Sequence, residues 1–512
     1  MTHWIILPVM LPAMVAPFII LAARYHMSIQ RVTTVASMIA LIALAAGLAW
    51  QASDGTVTVY RLGDWAAPFG IVLVADKLST MMVLLTAILG LIVSLYAIGS
   101  RWDEQGRHFH ALLQFQIMGI MGAFLTGDLF NLFVFFEILL IASYGLMIHS
   151  GGNKRLRAGV QYVLFNLLGS TLFLFALAAI YAETGTLNMA DLAERAQMVS
   201  ADETVGLRIA AVLLILVFAV KAAVVPLHFW LPSSYAQAPG PVAALFAIMT
   251  KVGAYAIIRV YTMIFPPELE ATAGLHTDWL LPAALISLAL GMVGVLAAKT
   301  LDRLVAFSVI GSMGMVMTAV ALFSEEAIAA ALYYIIHSTL AAAALFLITD
   351  MVRQGRADLR LTAQAPVPGH LLIAGLFMTS AIAMAGLPPL SGFVGKLLIL
   401  DASYASPLMP WFWSVILISS LIGIVGFARA GSTLFWKARS IETETAPEGT
   451  PPSALSAIAV GGLIALLIAH TVFAGPAYRY TAGAAAQLFA PEAYIDTVLN
   501  TPGKLSPKTE EN

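Results

Sequence analysis

The sequence contains no cysteine in 512 residues, which excludes disulfides, cysteine-ligated iron–sulfur clusters and cysteine–zinc sites within the chain. A redox centre held by cysteine would have to sit in a partner. Charge is also scarce, at 11% Asp, Glu, Lys and Arg, where a soluble domain carries about a quarter. The net charge of −2 comes with no basic patch of the kind that marks a nucleic-acid surface. The opening stretch, "MTHWIILPVMLPAMVAPFIILAARYH", has no Lys or Arg ahead of its apolar run. A cleavable signal peptide needs a basic n-region and a small-residue cleavage site, so this stretch reads as a first membrane helix that is retained.

What the sequence has is apolar length. Hydrophobic residues make up 60% and mean hydropathy is +0.90. Runs of the roughly 20 residues that cross a bilayer recur near 4–23, 33–51, 78–98, 110–127, 130–149, 160–181 and 207–230. They continue near 240–264, 279–298, 303–322, 327–350, 372–400, 411–436 and 453–474. The expected fold is therefore an all-α polytopic membrane protein with about fourteen transmembrane helices.

The linkers test that count. Those following odd-numbered spans hold fifteen Lys and Arg residues, among them Arg101, Arg107, Lys154, Arg155, Arg157, Lys299, Arg353 and Arg360. The even linkers and both termini hold seven, among them Arg61, Lys77, Arg195 and Arg208. Basic residues concentrate on the cytoplasmic side, which puts the odd linkers there and both termini outside. In "TGTLNMADLAERAQMVSADET", Leu187, Leu192 and Val199 would share one face of a short connector helix. The tail "TPGKLSPKTEEN" is polar and is expected to be disordered.

The remaining four basic residues lie within spans: Lys221, Lys251, Arg259 and Lys396. Glu137, in "DLFNLFVFFEILLIASYGL", and His337, in "YYIIHSTLAAAALFLITD", join them. Charged groups at this depth are costly and tend to be functional. Arg259 is near a span end and is expected to snorkel to water. Asp128, Asp350 and Asp401 also lie near span ends, where solvation at the interface is the simpler expectation. His337 is open to either a role in chemistry or the satisfaction of a backbone carbonyl.

A carboxylate, several lysines and a histidine linked by water can pass a proton. Burial weakens a lysine's hold on its proton and a nearby carboxylate strengthens it, so moving the partner releases the proton. Glu137 with Lys221 is the candidate pair. Pro226, in "VKAAVVPLHFWLP", and Pro388–Pro389, in "AMAGLPPLSGFVGK", interrupt two spans that each carry a buried lysine. Interrupted helices are tolerated in lipid where the freed backbone faces protein or a water-lined cavity. Breaks in the seventh and twelfth spans suggest two inverted five-helix repeats with the ion path at the breaks. The divisions are then residues 1–109 (helices 1–3), 110–264 (helices 4–8), 265–440 (helices 9–13), and 441–512 (the last span and the tail).

Three segments carry a family resemblance: "DLFNLFVFFEILLIASYGL", "KAAVVPLHFWLPSSYAQAPGPVAALFAIMTKVGAYAIIRV" and "GLPPLSGFVGKLLIL". Together with the fourteen-span layout they cover most of 70–440, and they resemble the antiporter-like subunits shared by respiratory complex I and the multisubunit Mrp cation/proton antiporters. Complex I members usually read Pro-Leu-His-x-Trp-Leu-Pro-Asp-Ala-His; here Pro232 is followed by Ser233-Ser234-Tyr235, closer to the Mrp pattern. The length and "LFNLFVFFEILLIASY" are similar to the D-subunit branch of Mrp and Pha systems.

The resemblance implies a bacterial inner-membrane protein in a hetero-oligomeric complex that exchanges cytoplasmic Na⁺ or K⁺ for external protons. It implies no cofactor and no activity as an enzyme. It assigns a proton relay to Glu137, Lys221, Lys251, His337 and Lys396. One departure is Ala342, near which many relatives carry a lysine; more weight then falls on His337, and the alanine-rich version tilts towards K⁺. No compact set of oxygen ligands for the metal cation is visible, which leaves its site unknown and to be sought in a partner. The rival readings are a proton-pumping subunit of a redox-driven complex (complex I or a membrane-hydrogenase relative) and a scaffold whose charges only hold helices in register.

The span count predicts a C-terminus on the outer face. Proteolysis of a C-terminal tag on intact cells tests this, and a tag protected in cells but cut in everted vesicles would mean an odd error in the count.

Overall fold

The computed structural model describes residues 2–199, 204–440 and 449–503. By length and composition eleven described helices can cross a membrane, and three shorter apolar helices accompany them. The first group comprises α1 (Leu7–Leu21), α2 (Met27–Ala52), α3 (Lys77–Gly99), α4 (Phe109–Leu125), α5 (Leu129–Met147) and α6 (Asn153–Thr184). A short connector helix, α7 (Met189–Met198), precedes α8 (Thr204–Ala222), α9 (Trp230–Gln237) and α10 (Gly240–Met263). Then come α11 (Leu281–Ala297), α12 (Leu301–Val320), α13 (Glu325–Arg356), α14 (His370–Ala385) and α15 (Ser391–Ala402). The chain ends in α16 (Met409–Gly431), α17 (Ala454–Val472), α18 (Ala474–Phe489) and α19 (Glu492–Asn500).

Every residue of α10 is buried, and α12 and α13 are nearly so. These three form the centre, while α2, α6, α16 and α17 expose broad apolar faces. That division follows from composition. Alanine and glycine crowd the central helices, as in "AAAALFLITD" of α13, and small residues let helices approach closely where lipid supplies no hydrophobic drive.

Contacts between linkers sort by parity. Thr300 bridges Arg360, joining two odd linkers; Asp128 bridges Asn188 and Leu73 bridges Thr126, joining even ones. Both described chain ends meet the linker between α2 and α3. The ring of His3 lies 5.6 Å from that of Tyr60, and Arg61 donates to the Thr501 carbonyl at 2.7 Å.

Several expectations from the sequence need correction. The fold is not wholly α: that same linker forms a small antiparallel pair, β1 (Thr58–Arg61) with β2 (Val72–Ala75). The second span starts at Met27 rather than near 33, because the Arg31 side chain turns out of the apolar region to Asp103 at 2.6 Å. The stretch between the last span and the tail holds two helices, α18 and α19; the expected disorder of the tail concerns residues mostly outside those described. In the connector helix Leu192 is buried, and Leu187 and Val199 pack against the core, as their common face implied.

Arg259 does not snorkel. It is 4% exposed and pairs with Asp76 at 2.6 Å. Asp76 caps α3, accepting from the Ser79 amide at 2.8 Å, so its charge also meets the positive end of the helix. The rings of Tyr494 (on α19) and Tyr255 lie 5.2 and 5.6 Å from the guanidinium. α19 thus covers the water that Arg259 was expected to reach.

Removing one member of a buried pair strands the other, at a cost of about 3–5 kcal/mol. Asp76→Ala should therefore markedly lower the melting temperature of the purified protein in detergent. Asp64→Ala, which removes the exposed partner of Arg61, should change stability by about 1 kcal/mol or less. Equal effects would sink the assignment of Arg259–Asp76 as the structural pair.

Candidate functional site

α8 stops at Ala222, one residue after Lys221. Ala223 takes a positive φ of 54°, and the chain stays unwound through Pro226 until α9 begins at Trp230. The break thus opens three residues before the proline. Its freed backbone groups find protein partners: the Trp230 indole donates to the Val220 carbonyl at 3.0 Å, and the Val225 amide donates to Ser287 Oγ of α11 at 2.8 Å.

Lys221 is 5% exposed. Its ammonium donates to Asn166 Oδ1 at 3.2 Å and lies 5.8 Å from the Phe136 ring. Glu137, half-buried on α5, accepts a hydrogen bond from Ser170 Oγ. Asn166 and Ser170 are four residues apart on α6, hence neighbours on one face. The structure brings Glu137 and Lys221 to the same stretch of α6, but no ion pair joins them among the described residues. Each charge is held by a neutral α6 side chain.

Deeper in, Lys251 is fully buried on α10. Its hydrogen bond among the described residues is a long one, 3.5 Å, to its neighbour Thr250. His337 is fully buried on α13, with Nδ1 2.9 Å from Ser391 Oγ at the start of α15. The second break, between Ala385 and Ser391, contains Pro388–Pro389. Lys396, 6% exposed, reaches back across it: Nζ donates to the Ala385 carbonyl at 2.6 Å and lies 2.9 Å from Ser420 Oγ of α16.

α15 approaches His337 this closely because residue 392 is glycine. A Cβ there would overlap the Ala383 carbonyl and stand 2.7 Å from His337 Nε2. Ala342 and its neighbours Ala341, Ala343 and Ala344 are all buried, so helix packing fills the place where many relatives carry a lysine.

Chemically, the arrangement sets three lysines and a histidine, nearly or wholly water-free, at the two breaks and on the two central helices between them. Their partners Asn166, Ser391 and Ser420, and Ser170 beside Glu137, are not singled out by the sequence. Their one signal there is a polar residue inside an apolar run, as in "YVLFNLLGSTLF". Of the three span-end aspartates, Asp401 is exposed as expected and Asp128 is a half-buried cap of α5. Asp350 is not solvated: it is 1% exposed and accepts from Tyr96, Trp102 and Gln354.

Comparison with known proteins places the chain in a family. Residues 126–423 match the family model described as "NADH:quinone oxidoreductase/Mrp antiporter, TM". The chain is 38% identical to the D subunit of a probable K⁺/H⁺ antiporter of Rhizobium meliloti (strain 1021), across 98% of both chains. It is also 38% identical to the D subunit of a Na⁺/H⁺ antiporter of Bacillus subtilis (strain 168), across 98% of this chain and all of that one. Among solved structures, a chain of the Mrp complex from Dietzia sp. DQ12-45-1b superposes with a TM-score of 0.88. It is 27% identical, over 98% of this chain and all of that one.

Overpacking a tight contact costs about 1–3 kcal/mol, so Gly392→Ala should lower the melting temperature. Gly375→Ala on α14, where a Cβ meets nothing within 4 Å, should leave it unchanged or raise it slightly. A Gly392→Ala protein as stable as the Gly375→Ala protein would refute the close approach of α15 to His337.

Proposed function

The chain belongs to the NADH:quinone oxidoreductase/Mrp antiporter family, and we infer that it is the proton-translocating D subunit of a multisubunit Na⁺ or K⁺/proton antiporter. It works as a transporter subunit within a hetero-oligomeric membrane complex rather than as an enzyme. The family also names NADH:quinone oxidoreductases, but the two full-length relatives described above are antiporter subunits. The observation that carries the mechanism is the set Lys221, Lys251, His337 and Lys396, none more than 6% exposed, with a helix break at each end.

In this reading Glu137, Lys221, Lys251, His337 and Lys396 are the relay. Lys221 and Glu137 are held on α6 by Asn166 and Ser170, which leaves both free to change partners as water enters. Lys251, between the two breaks, has only the long bond to Thr250 among the described residues, which leaves its ammonium free to meet a neighbour or water. His337 connects the central helices to the second break through Ser391.

Fourteen spans are read by counting the eleven long and three shorter apolar helices and taking α8 with α9, and α14 with α15, as one crossing each. The meeting of both chain ends with the same linker supports an even number. The excess of Lys and Arg in the odd linkers supports a cytoplasmic position for them and outer termini. The breaks of the seventh and twelfth spans support two five-helix repeats, residues 110–264 and 265–440, between flanks of 1–109 and 441–512.

The test uses everted vesicles from an antiporter-deficient host expressing the whole complex, with a pH-sensitive dye following ΔpH dissipation on adding NaCl or KCl. Wild type should respond to one or both cations. Glu137→Gln and Lys221→Ala should lose at least about nine-tenths of that response with the complex still assembled. No response from an assembled wild-type complex to either cation would overturn the antiporter reading, and a full response from Lys221→Ala would overturn the relay.

A further inference from the structure

Away from the relay, the ends of α11, α12 and α13 that carry the odd linkers enclose an open cavity of about 900 Å³. Lys154, Lys299, Arg303 and Arg353 line it beside Asp302 and Asp358. At its floor Arg353 is held at 3.3 Å from Asp302 and at 3.2 Å from the Ala236 carbonyl. Adjoining it is a second void of about 10 Å³, the size that holds a single water. Asp302 and Arg353 line both spaces. The far wall of the inner one is made by Tyr235, Thr349, Asp350 and Gly240.

Asp350 uses only one of its two carboxylate oxygens in hydrogen bonds among the described residues. Its Oδ2 accepts from Tyr96 Oη at 3.0 Å, Trp102 Nε1 at 2.9 Å and Gln354 Nε2 at 2.8 Å. Its Oδ1 is buried and has no hydrogen-bond partner among the described residues. A carboxylate oxygen left bare at such depth is costly unless something transient occupies its site. Gly240 keeps room beside it: a Cβ there would lie 2.9 Å from Oδ1 and overlap the Asp350 Cβ. The neighbouring linker is fixed as well. Burial works against the Asp103 charge, but hydrogen bonds from His110 and Arg31 hold its carboxyl below the usual range. Trp102 is thereby anchored next to a permanent charge.

We propose that this is the cytoplasmic mouth of the proton path: Asp350 Oδ1 is the terminal proton-carrying group, and Arg353, paired with Asp302, is the gate between it and bulk water. The proposal rests on the proton-translocating reading and on the orientation assigned above. In the direction of that exchange, a proton arriving from the relay by water forms an O–H bond on Oδ1. That bond breaks when water in the mouth takes the proton, and nothing is oxidised or reduced. Asp350 and His337 lie thirteen residues apart on α13, about 20 Å along the axis, so water rather than direct contact must join them. The charged groups around the mouth are Arg155, Lys154, Lys299, Arg303 and Arg353 against Asp302 and Asp358.

The chain's lack of cysteine makes the mouth testable without transport. Thr349→Cys puts one thiol on the wall of the inner void in the assembled complex. A membrane-impermeant methanethiosulfonate is applied to everted or right-side-out vesicles, and labelling is read by the mass of this chain. With Arg353 in place the water-sized void should shut the reagent out; with Arg353→Ala added, labelling should rise at least about tenfold, and from the cytoplasmic face only. Equal rates with and without Arg353 would overturn the gate, and labelling only from the outer face would overturn the mouth.

Asp350→Asn tests the carrier. Its amide oxygen can take the same three donors, so the complex should assemble, while proton exchange falls at least about tenfold. Wild-type exchange with an unchanged pH profile in that variant would overturn the carrier role. Wild-type vesicles in the same assay, and a tag at the C-terminus, separate these failures from failure of the antiporter reading or of the orientation. Should Asp350→Asn not assemble, Asp350→Glu, which keeps a carboxyl at a shifted position, is read instead, and exchange with an unchanged pH profile in that assembled variant would overturn the carrier role.

Discussion

A backbone amide or carbonyl left unbonded inside a bilayer costs several kcal/mol, and the two helix breaks are the places where this chain meets that cost most directly. Neither break is answered by its own helix alone. The first needs Ser287 from α11 and the Trp230 indole; the second needs Lys396, reaching back over Pro388–Pro389 to Ala385. The partners must come from side chains, so the surrounding helices have to be packed before either break is tolerable. The wholly buried α10 and nearly buried α13 supply that packing. Lys396 therefore belongs to the architecture of its break, which is why its position, its burial and the break coincide.

The features visible in the sequence were those that need no knowledge of a partner. Apolar length marked the spans, the prolines marked the breaks within a few residues, and the three lysines within spans marked the depth of the candidate site. What was missed depends on pairing across long separations. Arg259 meets Asp76 across 183 residues, and Asp350 meets Tyr96 across 254. For both, distance along the helix to a span end stands in for distance to water. α19 covers one end and the Trp102 linker covers the other, so that measure fails. Asn166 and Ser170 were missed for a different reason. Single polar residues in an apolar run are common, and nothing local says which of them faces a lysine.

The two breaks solve one problem in opposite order along the chain. Lys221 is the penultimate residue before the first break, whereas Lys396 follows the second and folds back over it. The family's name covers both antiporters and redox-driven oxidoreductases, so the fold alone does not choose between them.

The bond from Lys396 to the Ala385 carbonyl has a consequence for how a proton can pass. An ammonium carries three N–H donors; the neutral amine keeps two and gains a lone pair. The amine can still donate to Ala385, and Ser420 can turn its hydroxyl to give rather than receive. Lys221 can likewise keep its bond to the Asn166 oxygen after losing its charge. Both contacts count donors rather than charges, so the scaffold around the breaks holds the same shape whether the proton is present or gone.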